Sequence, residues 1–164
     1  MAYGNTNKAG TGTFYHLLMN SDGELWIAEN WTPSVQSDTT PNDSNKTFTV
    51  PASTEWEIQH IYVKLTSTGT VGNRQIELLI LDNAAVLIGK FVAGVVQAAS
   101  LARYYMFGFG LADLTAFRDT DVIQNPIPRL VLRPGYQIRV WDNKAVDAAA
   151  DDMDVQILCR ERTI

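Results

Sequence analysis

The sequence predicts an all-β protein, a jelly-roll-like β-sandwich preceded by an extended N-terminal arm. Three observations carry this expectation. Seven to nine short apolar runs recur with turn residues every eight to twelve positions, the spacing of a sandwich of short strands. Within most runs apolar and polar residues alternate at the period of a half-buried strand. Two long connectors, 32–45 and 108–128, break the hairpin spacing in the way Greek-key crossings do. No internal repeat of the kind a propeller requires is visible. Periodicity alone does not separate a jelly roll from an immunoglobulin-like strand order.

Residues 1–23 are rich in Gly, Asn, Thr and Ser around one apolar patch, "FYHLLM", and read as an arm; residues 24–164 read as the sandwich. "GELWIAENW" (23–31) reads as a first strand with Leu25, Ile27 and Glu29 on one side. "TPSVQSDTTPNDSN" (32–45) holds two prolines among Ser and Thr and reads as a loop. "KTFTV" turns Phe48 and Val50 inward. In "TEWEIQHIYVKLTS" the apolar phase shifts from Trp56 and Ile58 to Ile61, Val63 and Leu65, which calls for a bulge near Gln59–His60. "RQIELLILDN" places Ile76, Leu78 and Ile80 on one face. "AAVLIGKFVAGVVQAAS" (84–100) is ambiguous, although Val, Ile and Phe around two glycines favour strand and loop over helix. "LARYYMFGFG" is strand-like, "LTAFRDTDVIQNPIPRL" is a connector with one short strand, and "RPGYQIRVWDN" is a strand launched from a Pro-Gly turn. "MDVQILCRE" closes the domain with Met153, Val155, Ile157 and Cys159 facing one way.

A chain of 164 residues fits one domain, and a fold of this size buries roughly two-thirds of its unfolded surface. The single cysteine, Cys159, allows no intrachain disulfide, so the core must suffice. Net charge is −5, with only 19% charged residues, the opposite of the basic footprint that phosphate binding needs; no nucleic-acid partner is expected. No apolar run approaches the roughly 18 residues of a membrane span, and the N-terminus lacks the basic start and long apolar segment of a signal peptide. The expectation is a protein without a membrane partner, made and assembled inside a cell.

The densest candidate chemistry is "AVDAAADDMDV" (145–155), with Asp147, Asp151, Asp152 and Asp154. An EF-hand loop needs alternating oxygen ligands, glycine at its sixth position and glutamate at its twelfth. "DNKAVDAAADDM" offers lysine and valine at ligand positions, no glycine, and Met153 at the end. The main expectation is a solvated helical turn, "DAAADD", with hydrated carboxylates and no metal or cofactor. Asp147, Asp151 and Asp152, with Asp142, stay as weak candidates for an irregular calcium site between loops. A glycosidase pair needs two carboxylates facing each other across a cleft, which sequence neighbours in a polar loop do not provide. His16 and His60 have no partners at zinc spacing, and no serine sits in a nucleophile elbow. Cys159 lies on the apolar side of its strand and reads as a core residue. No catalytic residues are expected.

Aromatics remain. Trp26, Trp31, Trp56 and Trp141 suit either a sugar-stacking platform or packing in core and interfaces. Aromatic, Met and Arg residues are enriched at protein–protein interfaces, and the interface candidates are Tyr3, Phe14, Tyr15, Leu17, Leu18, Trp26, Trp31, Tyr104 and Tyr105.

The stretches "FTVPASTEWEIQHIYVKLTSTGTVGNRQIELLILD" and "LVLRPGYQIRVWDNKAVDAAADDMDVQI" resemble the small jelly-roll capsid decoration, or cement, proteins of tailed bacteriophages, through Val-Pro before a strand, "TVGNR" in a turn and "PGYQIRVWD" near the end. The resemblance spans residues 46–161. It implies a non-enzymatic virion protein, homotrimeric, assembled in the host cytoplasm and seated on the capsid surface where major capsid protein subunits meet. Two alternatives stay open. One is a receptor- or carbohydrate-binding sandwich of a tail or fibre, calcium-dependent through the Asp loop. The other, a cupin-like enzyme, is disfavoured because its metal set needs more than two histidines.

Overall fold

A computed structural model describes residues 17–19, 25–27, 31–41, 43–112, 120–144 and 146–164. The chain divides into two units, Met1–Asn30 and Trp31–Ile164. In the first, β1 (Leu17–Met19) and β2 (Leu25–Ile27) pair antiparallel, with Leu18 opposite Trp26. Among the described residues the second holds ten strands: β3 (Thr32–Asp38), β4 (Asn45–Thr49), β5 (Thr54–Thr66), β6 (Ile76–Leu81), β7 (Leu87–Val92), β8 (Ala102–Gly108), β9 (Val122–Pro126), β10 (Leu130–Leu132), β11 (Gln137–Asp142) and β12 (Asp152–Thr163). They form a six-stranded sheet, β3-β12-β5-β8-β9 with β10 on β5, and a four-stranded sheet, β4-β11-β6-β7. The fold is an all-β sandwich, as the alternating runs predict.

The pairing also resolves the strand order. With β9 and β10 set aside as part of the β8–β11 connection, eight strands remain. The first pairs with the last (β3·β12), the second with the seventh (β4·β11), the third with the sixth (β5·β8) and the fourth with the fifth (β6·β7). This is one long hairpin rolled up so that its two arms alternate between sheets, the double Greek key of a jelly roll. β8 and β9 pair in parallel.

The core follows from the alternation. Ile61, Val63 and Leu65 of β5 meet Met153, Val155 and Ile157 of β12 across the ladder, and Ile76, Leu78, Ile138 and Val140 close on them from the other sheet; all are buried. In β5, Leu158 stands opposite His60 and Cys159 opposite Ile58, so Gln59 is the extra residue of a bulge. It turns both Trp56–Ile58 and Ile61–Leu65 toward one interior, as the shift of apolar phase requires.

Two expectations change. The segment 32–45 is not simply a loop: its first half is β3, which pairs with β12 from Thr32↔Glu161 to Asp38↔Val155. β3 is an edge strand, the position where a proline is tolerated and where one neighbour suffices, so it needs no apolar alternation. β6 is buried on both faces and not on one. Its outward Leu79 is flanked in register by the long side chains of Arg139 and Lys90.

At the β5–β6 connection, Gly72 adopts φ +150°, and a Cβ built there would lie 2.8 and 2.9 Å from the Val146 methyl carbons. Gly72→Ala is therefore expected to lower stability by about 1–3 kcal/mol, partly restored by Val146→Ala. Denaturant unfolding of the two variants checks this; a Gly72→Ala protein as stable as the parent would contradict the close approach.

Candidate functional site

Four connections meet at one end of the sandwich: 39–44, 67–75, 93–101 and 143–151, as the registers Asp38↔Val155, Thr66↔Asp152, Ala102↔Thr66 and Ile76↔Asp142 dictate. The aspartate-rich segment lies here. Asp147 N-caps a single helical turn by its carbonyl, which accepts from the Ala150 and Asp151 N–H groups, and its φ is +56°. The turn is as expected, but the hydrated carboxylate is not. Asp151 is fully buried against fully buried Arg74. Arg74 Nε donates to Asp151 Oδ2 at 2.7 Å and Nη2 to Oδ1 at 3.1 Å, a two-pronged pair. Asp151 Oδ1 also accepts the Thr68 N–H at 2.7 Å. The remaining guanidinium protons go to the carbonyls of Thr70 and Gly72 and to Thr68 Oγ1.

Asp147 completes the cluster. Its Oδ2 accepts the hydroxyls of Thr68 at 2.7 Å and Thr70 at 2.8 Å, and these bonds, the Thr68 one foremost, hold its carboxyl below the usual range. Buried Asp142 accepts the N–H groups of Gln75 and Lys144. Gln97, fully buried, exchanges backbone hydrogen bonds with Arg74 and donates its amide to the carbonyls of Leu65 and Leu101. Its Oε1 accepts the Tyr105 hydroxyl at 3.0 Å, and burial pushes that phenol up to about 12. Lys46, buried on β4, reaches Thr40 O at 2.7 Å and lies 3.3 Å from Asp38 and 3.7 Å from Asp43.

This cluster fastens loops. The positive charge beside Asp151 is Arg74, and the Asp147 oxygen that faces inward is taken by two threonines; Asp152 is half-buried at the start of β12. Among the described residues no group of three or more His, Cys, Asp or Glu is placed to hold a metal ion. Sequence reading missed Arg74 and Lys46, although the signal was there: Lys46 is in phase with Phe48 and Val50, and Arg74 with Ile76 and Leu78.

Two further charged clusters lie outside the core. Glu57, nearly buried, sits between Arg129 at 2.5 Å and Arg160 at 3.3 Å. Arg160 and Arg162 lie over the Trp31 ring, 5.7 and 4.7 Å from its centroid. Glu77, on the outer face of the four-stranded sheet, is buried beneath Lys90, Asn143 and Trp141. Burial alone would raise its pKa, yet these three donors hold it below the usual range.

The interface candidates scatter. Tyr3, Phe14 and Tyr15, like His16, lie outside the described residues. Leu17 and Leu18 fall in β1 and Trp26 in β2. Tyr104 stacks on Tyr62 on the outer face of the six-stranded sheet, with ring centroids 6.2 Å apart. Tyr105 is a correction: its side chain is fully buried, because alternation along β8 turns neighbouring residues to opposite faces. The tryptophans do not form one platform. Trp56 is in the core, Trp141 is on the outer face of the four-stranded sheet, and Trp31 lies beside β12 of the other sheet. His60 is half-buried opposite Gly108. Burial pushes the Cys159 thiol up to about 11, so it is no nucleophile near neutrality.

Exposed apolar surface is concentrated elsewhere. Of eleven large hydrophobic side chains exposed among the described residues, six lie between positions 86 and 101: Val86, Leu87, Ile88, Val92, Val96 and Leu101.

No protein-family model matches this chain, and no curated protein matches it. Among solved structures it is similar to a chain in "Structure of infectious bursal disease virus Gx strain", with 10% identity and a TM-score of 0.30. The match covers 90% of this chain and 35% of that one, so this chain spans about a third of that chain's length.

Two outcomes test the loop cluster. Asp151→Asn is expected to lose about 3–5 kcal/mol, because it strands a buried guanidinium. Arg74→Met combined with Asp151→Leu should lose much less than the sum of the single changes; additive losses in denaturant unfolding would show the two residues to be uncoupled. Millimolar calcium or EDTA should leave the melting temperature unchanged, whereas an ion at 100 times its Kd would stabilise by about 2.7 kcal/mol.

Proposed function

We propose that this chain is a non-enzymatic structural protein of a tailed-phage virion that decorates the capsid surface, binding as a homotrimer where major capsid protein subunits meet, after assembly in the host cytoplasm. The observation that carries the reading is the clustering of exposed apolar side chains along one sheet edge and its adjoining loop. Contiguous exposed apolar surface marks a site of protein contact. The jelly roll and the resemblance of residues 46–161 to decoration proteins agree with it, although a fold alone assigns no function. The loop cluster supports the same reading: Arg74, Asp151 and Lys46 hold connections in place and thereby present a rigid outline to a partner.

The β1–β2 hairpin adds to this. Two strands of three residues are marginal in water on their own, so a hairpin carrying Leu17, Leu18 and Trp26 gains by lying against another protein. Many such weak contacts on a lattice add through multivalency.

The test is co-sedimentation with capsids that lack the protein. Intact protein should pellet with them, and a form lacking residues 2–20 should keep a cooperative melt of the sandwich yet bind more weakly. Light scattering should give the mass of three chains, in solution or on the shell. Failure of the intact protein to bind would overturn the capsid role, and equal binding by the truncated form would remove the hairpin from the contact.

A further inference from the structure

β7 is an edge strand of a kind that proteins ordinarily blunt. The other edges are blunted: β3 carries Pro33, β9 ends at Pro126, and β4 exposes Asn45, Thr47 and Thr49 beside the buried Lys46. β7 has no proline and exposes Leu87 (51%), Ile88 (56%) and Val92 (43%). Its hydrogen-bonding phase can be read from its end. The Ala93 N–H donates to Ile76 O, so residue 93 and, by alternation, Phe91 and Gly89 face β6. The N–H and C=O groups of Lys90 and Val92 are thereby aimed at the open edge, and Ile88 is the extra residue of a bulge where the register against β6 shifts between Ile80 and Leu81.

Charge indicates the occupant. Residues 83–102 hold a single charged side chain, Lys90, and Glu77 of the same chain neutralises it at 2.6 Å. The rest of a chain of net charge −5 carries its charges throughout. Two copies, each of net charge −5, repel at most approaches and meet without like-charge repulsion along this uncharged flank. We infer that β7 pairs antiparallel with β7 of a second copy, about a two-fold axis at Lys90. Such an isologous contact uses the same patch on both sides.

The register follows from the sequence "LIGKFV". Centred on Lys90, it sets Ile88 of each copy opposite Val92 of the other, two β-branched cross-strand pairs. It also sets Phe91 opposite Gly89. Both lie on the inner side of β7, where Ile80 and Phe91 of the same chain already pack over Gly89, so the pair adds no clash. The two Lys90 side chains face each other, each already paired with its own Glu77. This two-fold contact covers the β7 part of the apolar cluster and leaves Val96 and Leu101, on the adjoining loop, for the contact proposed above; it links three-fold groups where both exist.

Disulfide trapping on purified protein, without capsids, tests the pairing apart from the capsid role. Cys159 is buried, so added cysteines report alone. Ile88→Cys and Val92→Cys proteins are prepared separately and then mixed in equal amounts under mild oxidation. Opposed residues lie about 5.5 Å apart between Cα atoms, within disulfide reach. Identical residues stand four positions apart in register, roughly 13 Å. A cross-linked dimer is expected in the mixture and not in either protein alone. Adding Ile88→Lys to the Val92→Cys partner should reduce the yield at least tenfold with an unchanged melting temperature. No dimer in the mixture, or equal dimer in each protein alone, overturns the inference.

Discussion

The arrangement of this sandwich end depends on one desolvated ion pair, Arg74 with Asp151. A buried pair adds little net stability compared with an apolar substitute, but it tolerates only one geometry. Here that geometry joins the β5–β6 connection to the β11–β12 connection, one from each arm of the rolled hairpin. Once Arg74 is fixed, its backbone fixes Gln97, Gln97 fixes Tyr105, and the β7–β8 connection is held as well. Three loops distant in sequence are thus set by a single guanidinium.

The same logic separates interior from surface. The two buried glutamates are each met by more than one positive or donor group, Glu57 by Arg129 and Arg160 and Glu77 by Lys90, Trp141 and Asn143. Charges left outside mostly pair across strands, such as Lys64 with Asp154 and Arg162 with Glu55. An electrically quiet stretch like 83–102 is the exception, and that contrast sets β7 apart from ordinary scattered surface apolar residues.

Much of the fold was legible because strand burial is written with period two. The Gln59 bulge, the inward set of β12 and the start of β11 after its Pro-Gly turn can all be read directly. β3 was not, since an edge strand paired on one side imposes no apolar pattern and its proline, Pro33, suggests a loop. The aspartates were misread for a different reason. Whether Asp151 is hydrated depends on Arg74, 77 positions away, and that pairing arises only from the roll of the hairpin. Tyr105 shows a third limit: two adjacent tyrosines in a strand must face opposite ways, so both cannot serve one surface.

The position of Cys159 has a further consequence. Its sulfur lies in the last long strand, fully enclosed, with its thiol held in the protonated form by burial. A small thiol reagent can reach it only when β12 leaves the sandwich. As the chain's sole thiol, it is a built-in reporter whose labelling rate measures how often the whole domain opens. The same enclosure keeps copies packed side by side in oxidising surroundings from being joined through sulfur while they stay folded.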